Sequence, residues 1–242
     1  MKRLHTHSQN FLRSPRLVAE LIGHSSIRKN DTVYDIGAGS GVISSVLAKR
    51  CQQVIAIEVE PETATILRKN MARFDNVVVK EADFMSLSLP SSPYKIFANI
   101  PFHLSSAILH KITSDKNPPS AAYLIVQKQL ANKLLPDHPG FSNQLGMKLG
   151  PQFVIRIRRR LKRTDFWPHP NVDTVLLEII LRDQPLIPAR QLHAYQTFIE
   201  THFTVPAAFA RLPLAIINKD ATVKPSALTL SEWLALFQSV HK

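Results

Sequence analysis

The chain has 242 residues, 45% apolar and 20% charged, enough to bury a large core with a smaller appendage and too apolar for global disorder. Thirty Lys and Arg stand against 18 Asp and Glu, a formal charge of +12 with His neutral. The last 59 residues hold five basic and three acidic side chains, so +10 falls in the first 183; such a field favours a polyanion, nucleic acid or an acidic membrane surface. Cys51 is the single cysteine, which excludes an internal disulfide and a cysteine-cluster metal site.

In chain order, the opening "MKRLHTHSQNFLRSPR" has no apolar h-region, so no secretory signal is expected. No run approaches about 18 apolar residues, so no spanning helix is expected either, and a cytoplasmic setting follows. "RSPRLVAELIGHS" reads as a helix capped by Ser14 with Pro15 in its first turn, burying Leu17, Val18, Leu21 and Ile22. Thr32 to Ile36 reads as a buried strand, followed by a glycine turn and the helix "VISSVLAKR". "QVIAIEVE" is a second strand, "PETATILRKNMA" a second helix, "NVVVKEAD" a third strand, "YKIFANIP" a fourth, "SSAILHKIT" a helix and "SAAYLIVQK" a fifth strand leading into "QLANKLL". This alternation predicts an α/β fold, βαβ units on a parallel sheet covered by helices. "QFVIRIRRRLKR" and "TVLLEIILRD" predict two later strands forming a hairpin at one edge. Beyond "DQPLIP" the pattern becomes helical in "RQLHAYQTFIETHF" and "TLSEWLALFQSV". The expected organisation is a domain over 1–183 and a small helical domain over 184–242.

Three strand ends carry ligand-type residues. "DIGAGSG" places Gly37, Gly39 and Gly41 between a strand and a helix, where the backbone turns tightly and a ligand can approach it. Glu58 ends the second strand, where a carboxylate can accept from ribose hydroxyls; Glu60 better fits a charge at the following helix start. Asp83 ends the third strand, with Phe84 beside it as an apolar wall for an adenine; a turn cap is the local alternative. Together these predict an adenosine-containing cofactor, a description that NAD and S-adenosylmethionine both fit.

"NIPF", Asn99 to Phe102, follows the fourth strand. Methylating an exocyclic amine requires its nitrogen lone pair to leave conjugation with the ring. The Asn99 amide oxygen and the Ile100 carbonyl can each accept one amine hydrogen; Pro101 stiffens the turn, and Phe102 can stack on a flipped base. Hydride transfer has no use for this arrangement, which favours S-adenosylmethionine.

These motifs in this order resemble the ribosomal RNA adenine N6-methyltransferases, and within them the erythromycin-resistance type. The likeness is carried by "HSQNFL", "DIGAGSG", "IEVE", "ADF", "YKIFANIPFHLSSAILHKI", "LIVQKQLANKLL", "FWPHPNVDTVLLEI" and "SEWLALFQSV". It implies a Rossmann-like S-adenosylmethionine-dependent methyltransferase sheet with a small C-terminal helical domain. It also implies a cofactor held by Asn10, Leu12, the Gly37 loop, Glu58 and Val59, Asp83 and Phe84, and Asn99, with Phe102 facing the target adenine. The implied activity is methylation of an adenine in 23S rRNA, naked or in pre-50S particles, giving resistance to macrolides, lincosamides and type B streptogramins. "FTVPAAFAR" departs from the basic run of resistance-type relatives. The rival within the resemblance is the 16S rRNA adenine dimethyltransferase; Ile100, where that group usually has Leu, and the 59-residue tail lean away from it. A non-catalytic RNA-binding protein on the same fold is a further alternative.

For RNA, "RIRRRLKR" holds six basic side chains in eight residues. Strand alternation puts Arg156, Arg158, Arg160 and Lys162 on one face, with Arg159 breaking the pattern and Arg163 following. These, with Lys2, Arg3, Arg13 and Arg16 near the start beside His5 and His7, are expected to meet phosphates. Trp167 and His169, in the aromatic linker, can stack or pack, and the core reading is the better one for Trp167. The ten histidines show no metal-ligand spacing, so no metal is expected. Nothing in the sequence requires an oligomer, and a monomer is expected.

Overall fold

The computed structural model describes residues 10–114, 116–136 and 142–241. It forms two compact units, one drawn from Met1–Lys128 and Ile157–Ile180, the other from Gln129–Arg156 and Leu181–Lys242.

The described chain opens with the two-residue strand β1 (Phe11–Leu12) and helix α1 (Pro15–Gly23). Ser14 caps α1 by accepting from the Leu17 amide, Pro15 occupies its first turn, and Val18, Leu21 and Ile22 are buried, the pattern read from the sequence. Then follow β2 (Thr32–Ile36), α2 (Val42–Leu47), β3 (Gln53–Glu58), α3 (Pro61–Met71), β4 (Val77–Glu81), β5 (Lys95–Asn99), α4 (Ser105–Ser114), β6 (Ala121–Gln127), α5 (Lys128–Leu134), α6 (Gln144–Leu149), β7 (Phe153–Leu161), β8 (Phe166–Trp167) and β9 (Thr174–Leu181). The seven-stranded sheet has the order β4-β3-β2-β5-β6-β9-β7. β2 to β6 run parallel, with β9 antiparallel to β6. β7 and β9 are neighbours at the end of the sheet, as their linker predicts.

The chain winds outward from β2 through β3 to β4, then returns to β5 beside β2 and proceeds to β6. The β2–β5 boundary is therefore the switch point, where carboxyl ends of diverging strands leave a crevice for a ligand. Central strands β5 and β6 are buried almost throughout, as strands covered on both faces must be. One core packs Val18, Ile22, Val33, Leu47, Phe97, Tyr123 and Phe166. Cys51 is buried beside it, and burial, with Asp31 nearby, pushes its thiol up to about 11, as suits a packing residue.

β8 corrects one sequence expectation. Phe166 is fully buried, whereas Trp167 is 62% exposed. β8 pairs with β1 as a two-residue antiparallel ribbon, and successive side chains of a strand point to opposite faces; only one of the two aromatics can enter the core.

The second unit adds α7 (Ala189–Thr204), α8 (Pro206–Phe209) and α9 (Leu230–Val240). Its core centres on Trp233, Tyr195, Phe198, Phe209 and Phe237. Thr229 and Glu232 close a reciprocal capping box at the start of α9. This unit is larger than the 184–242 segment marked by the change in sequence texture, because Gln129–Arg156 belongs to it. The Tyr195 hydroxyl donates to the Met147 carbonyl, Lys148 pairs with Glu200, and Met147 joins the aromatic core. The divergent "FTVPAAFAR" stretch forms the end of α7 and all of α8. Among the described residues no helix is long and apolar enough to cross a membrane.

Candidate active site

At the β2–β5 switch point a cavity is lined by Asn10, Phe11, Gly37, Glu58, Val59 and the run Asn99–Phe102. The glycine loop forms one wall. Gly37, Gly39 and Gly41 have φ of 69°, 57° and 92°, a region that costs other residues strain. A Cβ on Gly37 would lie 3.4 Å from Pro101, and one on Gly39 would stand 2.9 Å from the Phe11 ring. A side chain at Gly39 would press on the Phe11 ring, while one at Gly37 would stand in ordinary contact with Pro101 and is disfavoured there by the positive φ. Gly41 answers a different need, since its Cβ would meet Leu67 and Met71 at 2.7 Å; neither Gly39 nor Gly41 lines the cavity.

Glu58 lies at the end of β3, almost wholly buried. Its Oε2 accepts from the Gly39 amide at 2.9 Å, and its Oε1 from the Val59 and Glu60 amides at 2.9 and 3.1 Å. The carboxylate thus braces the glycine loop and the start of α3 together. A carboxylate has about four acceptor sites, so Oε2 retains one. Behind the loop, fully buried Asp35 accepts from Ser44 Oγ at 2.6 Å, while its Oδ1 has no partner among the described residues. Burial pushes the Asp35 carboxyl up to about 7, against the lowering effect of Ser44 and with a smaller raising contribution from Glu58.

Asn99 ends β5. Its Nδ2 donates to the main-chain carbonyl of Asn10 at 2.6 Å. That bond fixes the amide, and among the described residues no donor reaches its Oδ1. Pro101 holds φ −57° and begins a single 3₁₀ turn, Phe102–Leu104. Its carbonyl is taken by the Leu104 amide and Ser105 Oγ. Among the described residues no donor reaches the Ile100 carbonyl. Two oxygens of adjacent residues therefore stand ready to accept hydrogens, beside the half-buried Phe102 ring.

The profile of the family described as ribosomal RNA adenine dimethylase matches residues 2–208. The chain belongs to this family. An "rRNA adenine N-6-methyltransferase" of Lysinibacillus sphaericus is 31% identical, over 79% of this chain and 77% of the relative. A "Ribosomal RNA small subunit methyltransferase A" of Streptococcus agalactiae is 30% identical, over 74% of this chain and 65% of the relative. The crystal structure of the 23S rRNA methyltransferase ErmE superposes with a TM-score of 0.87 at 25% identity, covering 96% of this chain and all of that one. The fold is that of the S-adenosylmethionine-dependent methyltransferases, and the chain is an rRNA adenine N6-methyltransferase.

In this methyltransferase not every residue expected at the site reaches the cavity. The Leu12 side chain is packed in the core. Asp83 is exposed, and its Oδ1 accepts from the Met85 amide at 2.8 Å, the turn cap that was its local alternative. Phe84 is buried under the Lys111 ammonium, which stands 5.2 Å from the ring centroid. Neither Asp83 nor Phe84 is among the cavity-lining residues. Two contributors escaped the sequence reading. Phe11 stands between two residues singled out in "HSQNFL" yet supplies a wall itself. Lys111, on α4, donates to the carbonyls of Phe84, Met85 and Leu87 and so pins the turn after Asp83. A lysine on an amphipathic helix reads as a solvated charge, and nothing in its sequence neighbourhood marks it otherwise.

The basic row lies on β7 and the turn after it. Arg156, Arg158, Arg160 and Lys162 are exposed while Ile155 and Leu161 are buried, the expected alternation. Arg159, which breaks the pattern, is tied to Glu20. Arg158 is engaged too, by Glu178 at 3.8 Å and the His24 carbonyl at 3.2 Å. Arg163 stands 3.7 Å from Asp173. Arg13 and Arg16 are exposed beside β1. Lys2, Arg3, His5 and His7 lie outside the described residues.

Proposed function

We propose that the enzyme methylates N6 of an adenine in 23S rRNA, using S-adenosylmethionine, and so confers resistance to macrolides, lincosamides and type B streptogramins. The observation that carries the chemistry is the tethered amide of Asn99: with Nδ2 held by the Asn10 carbonyl, Oδ1 is presented as an acceptor next to the Ile100 carbonyl, which no donor reaches among the described residues. Each accepts a hydrogen bond from one hydrogen of the exocyclic amine, which favours the pyramidal nitrogen with its lone pair free for attack; one of the two protons passes to solvent once the nitrogen carries the methyl. Phe102 stacks on the flipped base, and the Pro101 turn keeps the three groups in register.

The donor set suits the cofactor. The Gly37 loop gives close backbone approach, the remaining lone pair of Glu58 Oε2 suits a ribose hydroxyl, and Val59 and Asn10 border the same space. Asp83 would accept from the adenine through the oxygen it does not use as a cap, and Leu12 would contribute through its main chain. S-adenosylmethionine supplies a methyl already made electrophilic by its sulfonium, so the protein needs placement more than a strong base.

The choice of 23S rRNA is supported by Ile100 in the "NIPF" turn and by the likeness to ErmE along nearly the whole chain. A second reading, methylation of 16S rRNA, is favoured by the relatives named small subunit methyltransferase A. Labelled-methyl transfer to naked 23S rRNA and to 30S particles, followed by primer-extension mapping, separates them. Label on an adenine of 23S rRNA is expected. Label confined to 30S particles establishes the second reading, and label on neither means RNA binding without catalysis.

A further inference from the structure

Trp167 exposes 62% of its surface although the adjacent Phe166 is fully buried. The Arg13 guanidinium lies 5.9 Å from its ring centroid, and the His169 ring stands edge-on at 5.7 Å and 84°. His169 is itself held by its Nδ1 contact with the Arg163 carbonyl at 2.8 Å. The indole is therefore oriented by its neighbours while much of its surface faces solvent. Its place in the fold is fixed by register: Trp167 pairs with Phe11 across the β1–β8 ribbon, and Phe11 lines the cavity. Arg13, Arg16, Lys162 and Arg163, all exposed, surround this ribbon in the chain.

An exposed aromatic among cations, directly across the ribbon from the cavity-lining Phe11, fits a nucleotide better than a protein or a lipid. The indole offers a π-face to a base and the guanidinium a partner for phosphate. We infer that Trp167 is a stacking platform for an unpaired nucleotide next to the target adenine, holding the RNA strand while the adenine enters the cavity. It is a positioning residue, since it does not line the cavity. The inference rests on the cavity's being the target-base site.

The test uses the chain's own fluorescence. The protein has two tryptophans, and Trp233 is fully buried, out of reach of iodide, so the iodide-quenchable emission is that of Trp167. A short single-stranded RNA carrying an adenine is expected to shield that emission, whereas polyphosphate, which has charge but no bases, is not. Trp167→Ala is expected to raise the Kd for the RNA about tenfold, leaving S-adenosylmethionine affinity and the single-turnover rate at saturating RNA unchanged. Trp167→Phe is expected to recover most of the affinity. Native RNA affinity in Trp167→Ala overturns the inference, as does equal shielding by RNA and polyphosphate. Failure of the underlying reading shows elsewhere: Asn99→Ala would then transfer methyl normally whatever Trp167 does.

Discussion

The turns after β4 and β5 present a polar residue at a strand end followed by a single 3₁₀ turn, yet they are held in opposite ways. Asp83 closes its own turn, with its carboxylate two residues from the amide it caps, and Lys111 on α4 then fastens that turn from outside. Asn99 does nothing for its own turn. Its amide is held by a carbonyl 89 residues earlier in the chain. A group fixed by distant structure keeps one acceptor in a defined place, whereas a group engaged locally serves first to shape the loop. On the proposed mechanism the Asn99 side chain serves the chemistry and the Asp83 turn holds the cofactor.

That contrast is open to direct attack. The largest effect is expected for Asn99→Ala: methyl transfer in a single turnover should fall about 100-fold or more, with the calorimetric Kd for S-adenosylmethionine nearly unchanged. A parallel collapse of cofactor affinity would show that Asn99 holds cofactor instead. Glu58→Ala should weaken cofactor binding by about 30-fold, the loss of one charged hydrogen bond of about 2 kcal/mol. It should also lower Tm, because the Gly39, Val59 and Glu60 amides lose their acceptor. Lys111→Met and Asp83→Ala should each raise the cofactor KM by about three- to tenfold with kcat held; if Asp83→Ala instead lowers kcat as Asn99→Ala does, the two turns are not different in kind.

The smallest effect concerns Asp35, whose carboxyl is raised to about 7 by burial. Its stabilising contribution is complete below the unfolded carboxyl value of about 4 and is lost as pH rises through about 7. Asp35→Asn should therefore flatten the fall of Tm between about pH 4 and pH 7 by a few degrees, as read by differential scanning calorimetry. An unchanged slope would mean that Asp35 ionises normally.

Most of the sheet was legible because a parallel strand buried on both faces is apolar nearly end to end, and the proline- and serine-led helix starts stand out between such strands. The glycine loop, Glu58 and the Asn99 turn were legible for the same reason: each sits at the carboxyl end of one of those strands. What escaped depends on contacts between distant segments. The side on which Trp167 lies follows from its pairing with Phe11, and no local pattern states that pairing. Lys111 looks like any helix-surface lysine until its ammonium is found among three carbonyls. The gathering of 129–156 with the C-terminal helices likewise rests on contacts such as Tyr195 with Met147, made across some fifty positions of sequence.

The carbonyl that tethers Asn99 belongs to the backbone of residue 10. Every amino acid carries that oxygen, so alanine scanning passes over it, and evolution is free to change the side chain at this position without losing the tether. Any damage from Asn10→Ala reports on the side chain alone. Removing the tether takes a truncation through residue 10, which should free the amide; a single-turnover rate equal to that of the intact chain would show that the tether does not hold it.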